Sequence, residues 1–154
     1  MRYVTEDVSA NYVPLKQEAD CIRDYIELQR LRLGKKVNLD FSITGSLENK
    51  SIAPLILLTF IENVFKYGIS NHENTNITIH VNVKPNSVSL FCQNKIFLNK
   101  INPERAGVGI ANTRERLQFL YPDKHNLDIR TVNGLYTVNL NLKINPTLQQ
   151  SSLS

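Results

Sequence analysis

SIAPLILLTFIENVFKYGIS, residues 51–70, draws one narrow polar stripe along an otherwise oily helix. At roughly 100° per residue, Thr59, Glu62, Asn63, Lys66 and Ser70 fall within about one quarter of the circumference. The other faces carry Ile56, Leu57, Leu58, Phe60, Ile61, Val64 and Phe65. A helix of this kind is buried over most of its surface, so its carboxylate, amide and ammonium need partners or a ligand. Glu62 and Lys66, four apart in the favourable orientation, also suit a plain helical ion pair on a solvated stripe.

Outward from that run, the helix closes on Tyr67-Gly68, and a second glycine-bearing stretch, AGVGIANTRERLQFLYP, covers residues 106–122. Gly107 and Gly109 precede the helix-compatible run 110–120. Glycines that open a helix let backbone amides approach an anion, and the helix N-terminus adds a favourable dipole. Toward the N-terminus, Pro14 opens a helix that runs to about residue 33, with Leu15, Ile22, Ile26 and Leu33 near one face and Gly34 as its stop. Strand patterns occupy 37–43, 76–83 and 87–93, the last two joined by a Pro85-Asn86 turn. Two more, 127–132 and 135–144, flank Asn133-Gly134, a strong hairpin signal. Helices interleaved with hairpins predict an α+β two-layer sandwich: one mixed or antiparallel sheet, helices on one face, the other face partly wet.

Composition narrows the class. The 154 residues, 42% of them hydrophobic, suit one compact domain. No apolar run reaches the roughly 18 residues that a membrane span needs, and no charged-then-apolar leader opens the chain. Cys21 and Cys92 lie among apolar neighbours and read as buried free thiols, with no Cys/His spacing that suggests zinc. The net charge of +4 raises the question of nucleic acid. Arg30, Arg32, Lys35 and Lys36, however, gather where the first helix ends and complement its dipole, with no aromatic-rich basic strand beside them. Nucleic acid is not an expected partner.

Three segments in order, VPLKQEADCIRDYIELQRLRLG, IAPLILLTFIENVFKYGI and GVGIANTRERLQFLYP, make the chain resemble the GHKL ATP-binding family, specifically the catalytic domain of sensor histidine kinases of the LytS type. The second and third are similar to that family's N box and G2 box. The resemblance implies a Bergerat-type sandwich that uses ATP and Mg²⁺. It implies Asn63 as the Mg²⁺ ligand, Glu62 as the catalytic acidic residue, and Lys66 and Tyr67 as phosphate contacts. Gly107 and Gly109 would cradle phosphates, with Ile110 and Asn112 beside them and Arg114 a weaker candidate. Arg116 suits a structural role. One asparagine suffices as a protein ligand, because Mg²⁺ keeps several waters and takes phosphate oxygens.

The chain departs from that pattern in two places. Where members of the family carry Asp-x-Gly-x-Gly, this chain reads Phe91-Cys92-Gln93-Asn94-Lys95. Gln93 or Asn94 would then present a carbonyl oxygen to the adenine amino group, without charge assistance. The ATP lid would be the short, glycine-free stretch 95–105. The phosphoacceptor motif built around Pro-His-Phe is also missing. His72 and His125 read as loop residues, and His80 as a residue on the sheet's second face. The resemblance therefore implies an organisation in which residues 1–34 continue from an upstream histidine-containing dimerisation region, 35–145 form the catalytic domain and 146–154 a flexible tail. The expected activity is transfer of the ATP γ-phosphoryl group to that upstream histidine, with a response regulator as further partner. The expected setting is cytoplasmic, without direct membrane contact, within a homodimeric, inner-membrane-anchored parent. The alternative is a degenerate GHKL-fold interaction module that no longer binds ATP.

Overall fold

Leu15–Leu33 forms the first helix, α1, entered through Pro14 at φ −57° and ended by Gly34 at φ +63°, whose N–H donates to the Arg30 carbonyl. Only glycine adopts that left-handed conformation without cost, so the stop is built into the sequence. The computed structural model describes residues 12–66, 74–96 and 111–144 in full, together with the backbone of Tyr67 and of residues 103–110. Within them the other elements are β1 (Val13–Pro14), β2 (Val37–Thr44), β3 (Ser51–Ile52), α2 (Ile56–Tyr67), β4 (Thr75–Lys84), β5 (Ser87–Lys95), α3 (Pro103–Leu120), β6 (His125–Val132) and β7 (Leu135–Lys143). A 3₁₀ turn, Gly34–Lys36, leads from α1 into β2.

Five strands form one sheet in the order β2-β4-β5-β7-β6. β2 pairs parallel with β4 and the other neighbours are antiparallel, so the sheet is mixed. Period-2 alternation sends Ile77, Ile79, Val81, Val88, Leu90, Cys92, Val138, Leu140 and Leu142 to one face, where they meet Leu15, Ile22 and Ile26 of α1, Ile56, Phe60 and Val64 of α2 and Leu117 of α3 in one core. The opposite face is polar, with Asn82, Asn139 and Asn141 exposed on it. His80 stands on that face, as its strand position predicts, its Nε2 3.1 Å from Asp40 Oδ2. This two-layer α+β sandwich is the expected architecture.

Several expectations need correction. The run 51–70 is not one helix: Ser51 and Ile52 pair antiparallel with Pro14 and Val13 as β3, and α2 begins only at Ile56. The chain turns between them at Pro54 and Leu55, the latter at φ +62°. Gly107 and Gly109 do not open α3, which begins at Pro103; both lie within the helix. The reason is Pro103, whose fixed φ and missing N–H suit the first helical position and move the start upstream of the glycines. His125 opens β6 instead of lying in a turn, with Nδ1 2.8 Å from the Tyr121 carbonyl oxygen. Cys92 is buried, and burial pushes its thiol pKa up, whereas Cys21 is only half-buried; both are free. His72, most of the 95–105 lid and the 146–154 tail lie outside the described residues.

Candidate functional site

The entry to α2 is held from two sides. Glu18, 1% exposed on α1, accepts three backbone N–H groups, from Leu55 at 2.8 Å through Oε1 and from Leu57 at 3.2 Å and Leu58 at 3.4 Å through Oε2. A carboxylate from another element thus occupies the place of an N-cap, satisfying orphan amides and complementing the helix dipole. Burial raises the Glu18 pKa above its ordinary range, partly opposed by those three donors and by the positive charge of Arg116. From α3, Arg116 Nη2 donates to the Pro54 carbonyl at 2.6 Å. The Tyr121 hydroxyl accepts the buried Ala53 N–H at 2.9 Å, and burial pushes that phenol up to about 12. Arg116 is thus structural, as expected. Tyr121→Phe leaves the Ala53 N–H unpaired and is expected to cost about 1–3 kcal/mol, read from the urea-unfolding midpoint.

Held in this way, α2 turns its polar stripe toward α1. Thr59, Glu62, Asn63 and Lys66 line an open cleft of about 530 Å³, with Phe65 at its base and Tyr25, Gln29 and Arg32 of α1 on its far wall. The Tyr25 and Phe65 rings pack edge to face, 5.6 Å apart and at 74°. Tyr25 titrates high, chiefly through burial and then through the negative charge of Glu62, with Arg32 opposing. Thr59 is committed to the backbone, its hydroxyl donating to the Leu55 carbonyl at 2.8 Å. Among the described residues Glu62 does not pair with Lys66, and the side chains of Glu62, Asn63 and Lys66 have no hydrogen-bond or ion-pair partner. The cleft therefore offers an amide oxygen, a carboxylate and an ammonium to a ligand.

The end of β5 separates the two amides that the sequence left as alternatives. Gln93 points to the open face and donates from Nε2 to Thr137 Oγ1 at 3.2 Å. Asn94 points to the helix-bearing face, 1% exposed, between Ile77 and Tyr136 on the neighbouring strands. Its Nδ2 donates to the Lys95 carbonyl at 3.0 Å, and its Oδ1 is buried without a partner among the described residues. A carbonyl can only accept, so Lys95 sets the amide's orientation and leaves the acceptor free. Such an orphan is uncommon in a folded chain and marks a place where a donor is missing.

On α3, Asn112 and Arg114 are exposed, while the side chain of Ile110 and that of Tyr67 on α2 lie outside the described residues. With Gly107 and Gly109 inside the helix, their amides enter its hydrogen-bond ladder and do not form the expected opening cradle. Among the described residues no group of three His, Cys, Asp or Glu side chains is placed to hold a metal, so a cation here would lean on Asn63 and on its own ligand's oxygens. No described helix is long and apolar enough to cross a membrane.

The residue that sequence reasoning missed is Glu18. Its signal was present: it falls on the same helical face as Leu15 and Ile22, and a carboxylate on a core face needs donors.

Comparison with known proteins places this architecture. The catalytic domain of histidine kinase ThkA, in a nucleotide-free form, superposes with a TM-score of 0.62 at 11% identity, covering 88% of this chain and 97% of that one. Full-length ShkA in complex with AMPPNP gives 0.59 at 15% identity, over 88% of this chain and 31% of that one. ThkA in complex with the response regulator protein TrrA gives 0.57 at 11% identity, over 88% and 42%. The chain therefore has the GHKL, or Bergerat, fold of histidine-kinase catalytic domains. Among curated proteins, Sensor protein LytS of Enterococcus faecalis (strain ATCC 700802 / V583) is 21% identical over 122 residues, 71% of this chain and 21% of that protein. The chain thus spans about one fifth of the length of the curated relative it matches. No family model matches it.

Proposed function

We propose that this chain is the ATP-binding catalytic domain of a sensor histidine kinase of the LytS type, which passes the γ-phosphoryl group of Mg²⁺-ATP to a histidine on an upstream region of its parent. The observation that carries this reading is Asn94 Oδ1, a buried acceptor without a partner among the described residues, on the helix-bearing face at the end of β5. An acceptor there suits the amino group of adenine and rejects the carbonyl that guanine presents at the same position. Asn63 supplies a side-chain oxygen for Mg²⁺, and Lys66 a point charge for phosphate. Bound Mg²⁺ would neutralise charge on the phosphates. Glu62, open to the cleft, is the group positioned to accept a proton from an attacking imidazole. Phosphoryl transfer of this kind needs positioning and electrostatic stabilisation more than covalent chemistry by the protein. A response regulator as downstream partner follows from the same reading, supported by the ThkA–TrrA complex.

Calorimetric titration with a non-hydrolysable ATP analogue, with and without Mg²⁺ and with a GTP analogue for comparison, tests the reading. Saturable, Mg²⁺-strengthened, adenine-preferring binding is expected. Silence up to millimolar nucleotide from a folded sample would replace it with an interaction module that has abandoned ATP. Asn94→Leu is expected to weaken adenine-nucleotide binding about tenfold, the worth of one buried hydrogen bond. Gln93→Asp, on the opposite face, should leave affinity unchanged within about twofold, and a larger gain would relocate the adenine contact.

A further inference from the structure

Arg32 belongs to neither glycine- nor asparagine-bearing motif, and its position in the last turn of α1 already gives it a modest role opposite the helix dipole. That role needs only a charge near the helix end. The structure does more with it. Arg32 lines the α1–α2 cleft together with Asn63, Glu62 and Lys66. One guanidinium nitrogen, Nη2, donates to Gln29 Oε1 at 3.1 Å, and Gln29 lines the same cleft, so the fork is braced on that wall. No other hydrogen bond or ion pair engages Arg32 among the described residues, which leaves most of its five donors open.

Electrostatics points the same way. The cleft holds two cations, Arg32 and Lys66, against one carboxylate, Glu62, and neither cation is paired with it. Arg30, Lys35 and Lys36 add positive charge at the same end of α1. A guanidinium matches the oxygens of a phosphoryl group with two parallel donors, which an ammonium cannot do.

We propose that Arg32 and Lys66 form a phosphoryl clamp across the α1–α2 cleft, with Arg32 holding the terminal phosphoryl group of the bound nucleotide. The clamp rests on the nucleotide reading above and adds to it a contact from outside both motifs. It makes triphosphate affinity, unlike adenine recognition, depend on α1.

The test compares wild type, Arg32→Ala and Arg32→Lys in calorimetric titrations with a non-hydrolysable ATP analogue, ADP, AMP and inorganic tripolyphosphate, each variant first shown to be folded by its thermal melt. Arg32→Ala should weaken the triphosphate analogue and tripolyphosphate about tenfold or more, leave ADP and AMP within about twofold, and be partly rescued by Arg32→Lys. Equal losses for all ligands, or no loss for the triphosphate, would overturn the clamp. If wild type binds no nucleotide, the kinase reading fails. Tripolyphosphate then decides the clamp alone: Arg32-dependent binding upholds it and silence overturns it.

Discussion

Glu18→Ala is expected to lower the unfolding free energy by about 3 kcal/mol and the thermal midpoint by about 10 °C, a larger loss than any other single polar substitution considered for this chain. The substitution removes both carboxylate oxygens and strands three amides, of Leu55, Leu57 and Leu58, at the start of the helix that carries Glu62, Asn63 and Lys66. A buried donor left unpaired costs its full desolvation penalty, which is why the effect exceeds that of an ordinary hydrogen bond. Chemical denaturation of the variant at neutral pH measures it. A loss below about 1 kcal/mol would mean that water replaces the carboxylate.

Acid reveals the same group with a definite sign. Burial raises the Glu18 carboxyl above 4.5, so the folded chain binds that proton more tightly than the unfolded chain does. The pH-dependent part of its contribution is fully present below 4.5 and is lost as the pH climbs through the higher folded value, while its bonds to the three amides persist at neutral pH. Wild type should therefore gain on Glu18→Gln as the pH falls through that window, and a gap that widens against wild type would reverse the assignment.

Asn63→Ala should abolish the Mg²⁺ dependence of nucleotide binding and weaken binding in Mg²⁺ by about 100-fold, while leaving the fold intact. Asn63 is half-buried on the cleft side of α2 and bonded to nothing in the described chain, so its removal strands no partner. Affinity without Mg²⁺ should be nearly unchanged. Titrations with and without the metal separate the two terms, and equal Mg²⁺ enhancement in mutant and wild type would move the metal elsewhere.

The elements that local chemistry specifies were legible in the sequence. Gly34 ends α1 where a left-handed residue is needed, and Asn133-Gly134 turns β6 into β7 with both residues at positive φ. The polar stripe on α2 was legible because 3.6-residue periodicity needs no tertiary context. What escaped depends on contacts between distant elements. β3 exists because Ser51 and Ile52 find Pro14 and Val13, and no local pattern in residues 51–70 announces that pairing. α3 starts upstream of its glycines because Pro103 holds the stronger N-terminal preference. The choice between Gln93 and Asn94 needed the strand's register, since adjacent residues face opposite sides of a sheet.

Among the described residues, the bonds that tie α3 to the entry of α2 and to Tyr12 lie toward its far end. Arg116 grips the Pro54 carbonyl, the Tyr121 hydroxyl takes the Ala53 amide just past the helix, and the Tyr12 hydroxyl donates to the Leu120 carbonyl at 3.2 Å. Leu117 is sunk in the core between them. One short stretch at the end of α3 thus anchors both the turn that opens α2 and, through Tyr12, the N-terminal strand, so the helix that carries Glu62, Asn63 and Lys66 takes its footing from residues 116–121.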